Sequence, residues 1–125
     1  MLRGGHHGSN YHLEAVQAAA AELSKAGLKD RLMVDCSHAN SNKDFRRQAD
    51  VLATVADQLR AGSSHVMGVM IESHLVEGNQ KLTADPSQLT YGQSITDACI
   101  SLETTDALLS RLAEAVVDRS SVVTA

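Results

Sequence analysis

Two short apolar runs, Leu32-Met33-Val34-Asp35-Cys36 and Val66-Met67-Gly68-Val69-Met70-Ile71, restrict the folds open to this chain more than any other feature. Each is too brief for a buried helix and is bounded by polar loops, the pattern of a strand covered on both faces. Helical periods lie around them. Leu13, Val16, Ala20 and Leu23 mark a helix over Asn10 to Gly27, with Asn10 as its cap, Gly27 as its stop and an end near Ala26. A second begins near Asn42 and stops at Gly62; Phe45, Ala49, Leu52, Val55 and Leu59 form its inner stripe, and Lys43, Asp44, Arg46, Arg47 and Asp57 face water. Glu77 to Gly92 reads as a long irregular stretch, rich in turn formers such as Gly78, Asn79, Asp85 and Pro86. A last helix is expected from Thr105 to Arg119, with Leu108, Leu109, Leu112 and Val116 inward, before Ser120 to Ala125 fray. The stub Met1-Leu2-Arg3-Gly4-Gly5 reads as the end of a strand that begins earlier. Helix, strand, helix, strand, loop and helix in this order predict an α/β protein with a parallel sheet and right-handed connections.

The 125 residues, 43% of them hydrophobic, suit one domain, residues 1–125. Eleven Lys and Arg stand against 15 Asp and Glu, a net charge of −4, so no broad positive field attracts nucleic acid or anionic lipid. The longest apolar run falls far short of the roughly 20 residues of a membrane-spanning helix. Two well-separated cysteines make no disulfide framework, and a reducing cytoplasmic compartment is expected.

In parallel β/α architectures reactive groups gather beyond the C-terminal ends of strands. Four polar segments are expected there: Arg3-Gly4-Gly5, Asp35-Cys36-Ser37-His38-Ala39-Asn40, Glu72-Ser73-His74-Leu75 and Ser94-Ile95-Thr96-Asp97-Ala98-Cys99. His38 and Glu72 emerge from adjacent strand ends, and an imidazole with a carboxylate is a common pair on a divalent metal, which Asp97 would complete. Each also has an ordinary reading. His38 could be a loop histidine bonded to a carbonyl, Glu72 a buried carboxylate paired with Arg or Lys, and Asp97 a helix or turn cap. Arg3, followed by two glycines, suits a phosphate or carboxylate, or is a plain surface arginine. Cys36 reads as a small buried thiol. His6, His7, His12, His65 and His74 share no spacing. No P-loop, dinucleotide-binding glycine pattern or Gly-flanked nucleophilic serine is present.

Taken together, Leu2-Arg3-Gly4-Gly5, Met33 to Ser41, the uneven string Glu72-Ser73-His74-Leu75-Val76-Glu77-Gly78-Asn79-Gln80, Tyr91-Gly92 and Ser94 to Ile100 resemble the C-terminal third of class I 3-deoxy-D-arabino-heptulosonate 7-phosphate (DAHP) synthases. The resemblance implies part of a (β/α)8 TIM barrel, an incomplete barrel of about three β/α units. It also implies an enzyme that condenses phosphoenolpyruvate with erythrose 4-phosphate on the way to chorismate and the aromatic amino acids. In family terms His38, Glu72 and Asp97 match three of four ligands of one divalent metal ion (Mn, Fe, Co, Zn or similar), and Arg3 matches the arginine that grips the phosphate of phosphoenolpyruvate. The full-length family usually forms homo-oligomers.

The departures are as specific. The family's fourth ligand, an upstream cysteine, is not supplied by Cys36 or Cys99, and its Lys-Pro-Arg-Thr motif for erythrose 4-phosphate is absent from these 125 residues. The isolated chain is therefore expected to be inactive. Two other readings stand beside the synthase: a non-catalytic remnant or subunit-pairing piece, and the sister enzyme making 3-deoxy-octulosonate 8-phosphate.

Overall fold

The computed structural model describes residues 1–123, and side chains as far as Ser120. Three helices, α1 (Leu13–Lys25), α2 (Gln48–Arg60) and α3 (Leu102–Val123), alternate with short strands β1 (Leu32–Asp35), β2 (Val66–Met70), β3 (Ser73–His74), β4 (Val76–Asn79), β5 (Gln93–Ser94) and β6 (Ile100–Ser101). The chain is α/β. β1 pairs parallel with β2, and Leu2 forms a parallel bridge to Val34 on the other side of β1. β3, the continuation of β2, pairs parallel with β6. Stub, β1, β2 with β3, and β6 thus lie side by side in chain order, all pointing one way. Among the described residues no helix is long and apolar enough to cross a membrane.

The apolar runs become strands because α2 and α3 cover one of their faces. Leu32, Val34, Cys36 and Val66 share a core with Val16 of α1, with Val51, Leu52, Val55 and Leu59 of α2, and with Leu108 and Ala115 of α3. Removing this apolar area from water is the main stabilising term. On the opposite face of the sheet Met33 and Met67 remain 36% and 66% exposed. α3 lies along α2, and Arg60 at the end of α2 pairs with Asp118 of α3 at 3.3 Å as well as with Asp57 of its own helix at 3.0 Å. Those ion pairs are solvent-exposed and add little.

Several boundaries differ from the sequence expectation. Asn10 is not a helix cap: α1 starts at Leu13 after His12, which makes no side-chain cap, and the Asn10 amide is used elsewhere. α2 cannot start near Asn42, because Asn42 and Lys43 adopt positive φ of 54° and 60°. A 3-10 turn over Phe45–Arg47, capped by Asp44, leads into it instead. α3 starts at Leu102, where the hydroxyl of Ser101 accepts from the N–H of Thr104, and it runs on to Val123. The expected fraying of Ser120 to Ala125 is thus not found up to Val123, and residues 124 and 125 lie outside the described residues. Leu13, Leu109 and Val116 are exposed; Leu108 and Ala115 point to the core, a stripe shifted by about one position.

The expected irregular loop is built more firmly than its turn formers suggest. It opens with β4 and carries a 3-10 turn at Pro86–Gln88. The Gln80 amide ties it by donating to the carbonyls of Thr90 and Gln93 at 2.8 and 3.0 Å and accepting from Thr90 N–H at 2.8 Å. These side-chain amides add to a short backbone ladder, in which β4 pairs parallel with β5 and Gly78 bridges Cys99.

Cys36 is a buried thiol, as expected, and burial, helped by the charge of Asp35, pushes its pKa up to about 12. Its ordinary value is 9.0, so the unfolded chain ionises first. Stability is therefore full below pH 9 and falls as pH rises toward about 12. Urea midpoints measured across this range in the chain and in a Cys36→Ala variant check the expectation: the alkaline decline is shallower in the variant.

Candidate metal centre

Each candidate side chain reaches the same end of the sheet by a different route. His38 stands three residues beyond β1 with φ 48°, in a loop closed by bonds from Ser41 N–H to the Ser37 carbonyl and from Lys43 N–H to the His38 carbonyl. Glu72 follows β2, and Asp97 ends the long loop before β6. Parallel strands bring these three loops to one side, and ligand atoms of His38, Glu72 and Asp97 all lie within 4.8 Å of one another. His38 Nε2 is 3.8 Å from Glu72 Oε1. Together they line a cleft of about 710 Å³ that also includes Arg3, Lys43 and Phe45.

The neighbours decide between the readings of each side chain. His38 Nδ1 faces not a backbone carbonyl but the carboxylate of Asp35, at 2.8 Å. Asp35 is wholly buried, and its other oxygen accepts from Ser37 N–H at 2.8 Å. With Nδ1 donating to Asp35, the lone pair of Nε2 points toward Glu72. Among the described residues Glu72 has no Arg or Lys partner; the Ser37 hydroxyl donates to its Oε2 at 2.5 Å. Asp97 caps no helix, since Ser101 does that for α3. A histidine nitrogen and two carboxylates, neither of them ion-paired with Arg or Lys among the described residues, fit the donor set of a divalent first-row ion.

Arg3 is joined to this site through two asparagines. Asn40, buried, donates to the carbonyls of Asp35 and Leu2 at 2.8 and 3.2 Å and accepts from Asn10 N–H at 2.8 Å. Asn10 in turn accepts from Gly4 N–H at 2.7 Å. The stub runs so close to the His38 loop that a Cβ on Gly4 would lie 2.8 Å from Ala39 Cβ and 3.0 Å from the Asn40 nitrogen, and its φ is +72°. Gly4→Ala is therefore expected to cost about 1–3 kcal/mol and to push the loop away from Arg3. Urea unfolding checks the stability, and weaker binding of inorganic phosphate checks the displacement.

Sequence reasoning singled out His38, Glu72, Asp97 and Arg3, and all four line the cleft. It gave no role to Asp35, Ser37, Asn40 or Gln48. The spacing of Asp35 and His38 was the only available signal among these, and it is weak without the loop conformation. Of the remaining histidines, His6 borders the cleft, while His65 bonds to Asp30 and His74 accepts from the N–H of Leu75.

The sequence pattern of the DAHP synthetase I family matches residues 1–110. The chain belongs to that family. It is similar to phospho-2-dehydro-3-deoxyheptonate aldolase of Haemophilus influenzae (50% identity, 95% of this chain, 33% of the relative). Against the Phe-sensitive phospho-2-dehydro-3-deoxyheptonate aldolase of Escherichia coli K12 the identity is 52%, with the same coverage of 95% and 33%. The solved phospho-2-dehydro-3-deoxyheptonate aldolase of Francisella tularensis superimposes with a TM-score of 0.88 at 48% identity, over 94% of this chain and 33% of that one. The chain thus spans about a third of the length of the DAHP synthetase I relatives it matches.

Proposed function

We propose that this chain carries the metal-binding side of a DAHP synthase, the enzyme that joins phosphoenolpyruvate, erythrose 4-phosphate and water to give DAHP and phosphate, the first step toward chorismate. The observation that carries the reading is the convergence of His38, Glu72 and Asp97 from three separate strand ends. In this reading residues 1–125 form one C-terminal portion of a (β/α)8 barrel, supported by four parallel strand segments lying in chain order. The whole enzyme would be cytoplasmic and homo-oligomeric.

A divalent ion held by these three side chains would supply Lewis-acid polarisation of the aldehyde of erythrose 4-phosphate. The protein's own groups set the stage for it. Asp35 keeps the proton of His38 on Nδ1, leaving Nε2 as a donor atom. Ser37 holds one oxygen of Glu72 by a hydrogen bond and leaves the other facing His38. Arg3, held beside this loop by Asn10 and Asn40, would pair its guanidinium with the phosphate of phosphoenolpyruvate and orient that substrate across the cleft.

Titrating the metal-free chain with Mn²⁺ or Co²⁺ by calorimetry tests the site directly. One equivalent is expected to bind, and Asp35→Asn to weaken it about 10–100-fold. A folded chain that takes up no divalent ion overturns the proposed centre.

A further inference from the structure

We propose that Gln48 is a positioning residue for Glu72, fixing the backbone of that residue so that its carboxylate faces His38 and Asp97. The inference rests on the metal reading above and adds a group that lies 24 positions from Glu72, on a different element.

Gln48 opens α2 and is wholly buried, unusual for a glutamine at a helix start. Its amide is used on both sides. Oε1 accepts from Glu72 N–H at 2.8 Å, and Nε2 donates to the Glu72 carbonyl at 3.0 Å. That pair of bonds is what a neighbouring strand would supply. The β1 side of the sheet runs out just here: the last backbone bond from it to β2 is Cys36 N–H to the Met70 carbonyl, at 2.9 Å. On the other side Ile100 N–H also donates to the Glu72 carbonyl, at 3.0 Å. Gln48 therefore stands in for a missing strand at a residue that leaves the sheet and still aims a side chain into the cleft. With the peptide groups of Glu72 held from both flanks, its carboxylate is left to Ser37 and His38.

An apolar residue of similar shape would fill the same space without either bond, so Gln48→Met separates packing from positioning. Cobalt binding to the chain, followed by visible absorption and calorimetry, is measured in the wild type, Gln48→Met, Glu72→Gln and the double variant, with circular dichroism confirming retained helix content. Gln48→Met is expected to raise the Kd for Co²⁺ about 10–100-fold and to change the absorption of the bound ion. In the Glu72→Gln background the same change should add little, because the group being aimed has lost its charge. Equal weakening in both backgrounds, or an unchanged Kd in Gln48→Met, overturns the positioning role while leaving the metal site intact. A wild-type chain that binds no cobalt overturns both readings together. Should Gln48→Met lose its helix content, Gln48→Asn, which keeps the amide but is too short to span both bonds, takes its place in the same comparison with the same outcomes.

Discussion

Grafted in place of the matching third of the Escherichia coli Phe-sensitive relative, this chain is expected to support consumption of phosphoenolpyruvate that depends on erythrose 4-phosphate, and His38→Ala in the graft to lower that rate by at least about 100-fold. At 52% identity over 95% of the chain, the graft replaces a third of the relative with a sequence of the same family. Volume-conserving exchanges of core residues are commonly tolerated when the pattern is kept. In the proposed centre His38 is the nitrogen donor, aligned by a buried carboxylate at 2.8 Å, so alanine would remove a ligand and also leave Asp35 without its imidazole partner. The loss should appear in kcat together with metal affinity, and added metal should restore it only in part. A graft that folds and shows no erythrose 4-phosphate-dependent turnover would refute the catalytic reading, and full activity after His38→Ala would refute the ligand assignment.

The 125-residue chain by itself is expected to release no phosphate above background and to self-associate. The sheet shows Met33 and Met67 on its open face, and Leu102, Leu109 and Val116 lie exposed along α3. Strands with unpaired edges and an uncovered apolar face invite pairing with other chains. Among the described residues Arg3 and Lys43 are the fixed cations lining the cleft, few for two phosphorylated substrates. Sedimentation across a concentration series should show association at micromolar levels, and a coupled phosphate assay should stay flat with either metal present. Turnover by a monodisperse monomer would contradict both halves of this expectation.

Buried pattern is the part of a sequence that states itself. The runs at Leu32 and Val66 and the stripe of Leu52, Val55 and Leu59 could be read directly, because burial of apolar side chains follows a period set by the backbone alone. The candidate ligands were legible for a different reason. Each stands at the end of a strand or just before one, where a parallel sheet delivers its loops to a single side, and the surrounding strings carried a specific family resemblance. Helix ends were read less well, since Asn10, Asn42 and Ser101 all have side chains suited to capping and only their partners decide which of them does so.

The sequence by itself determined an α/β chain, the identity of His38, Glu72, Asp97 and Arg3 as the residues to watch, and the placing of Cys36 in the core. Only the tertiary structure decided how those residues are held. Asp35 behind His38, Ser37 on Glu72, Asn40 on the Leu2 carbonyl just before Arg3, and Gln48 on the backbone of Glu72 are hydrogen bonds, most of them between residues distant in sequence. Apolar burial is additive and periodic, so it leaves a trace along the chain. A hydrogen bond depends on distance and angle between two groups, and those are defined only once the strands have brought them together.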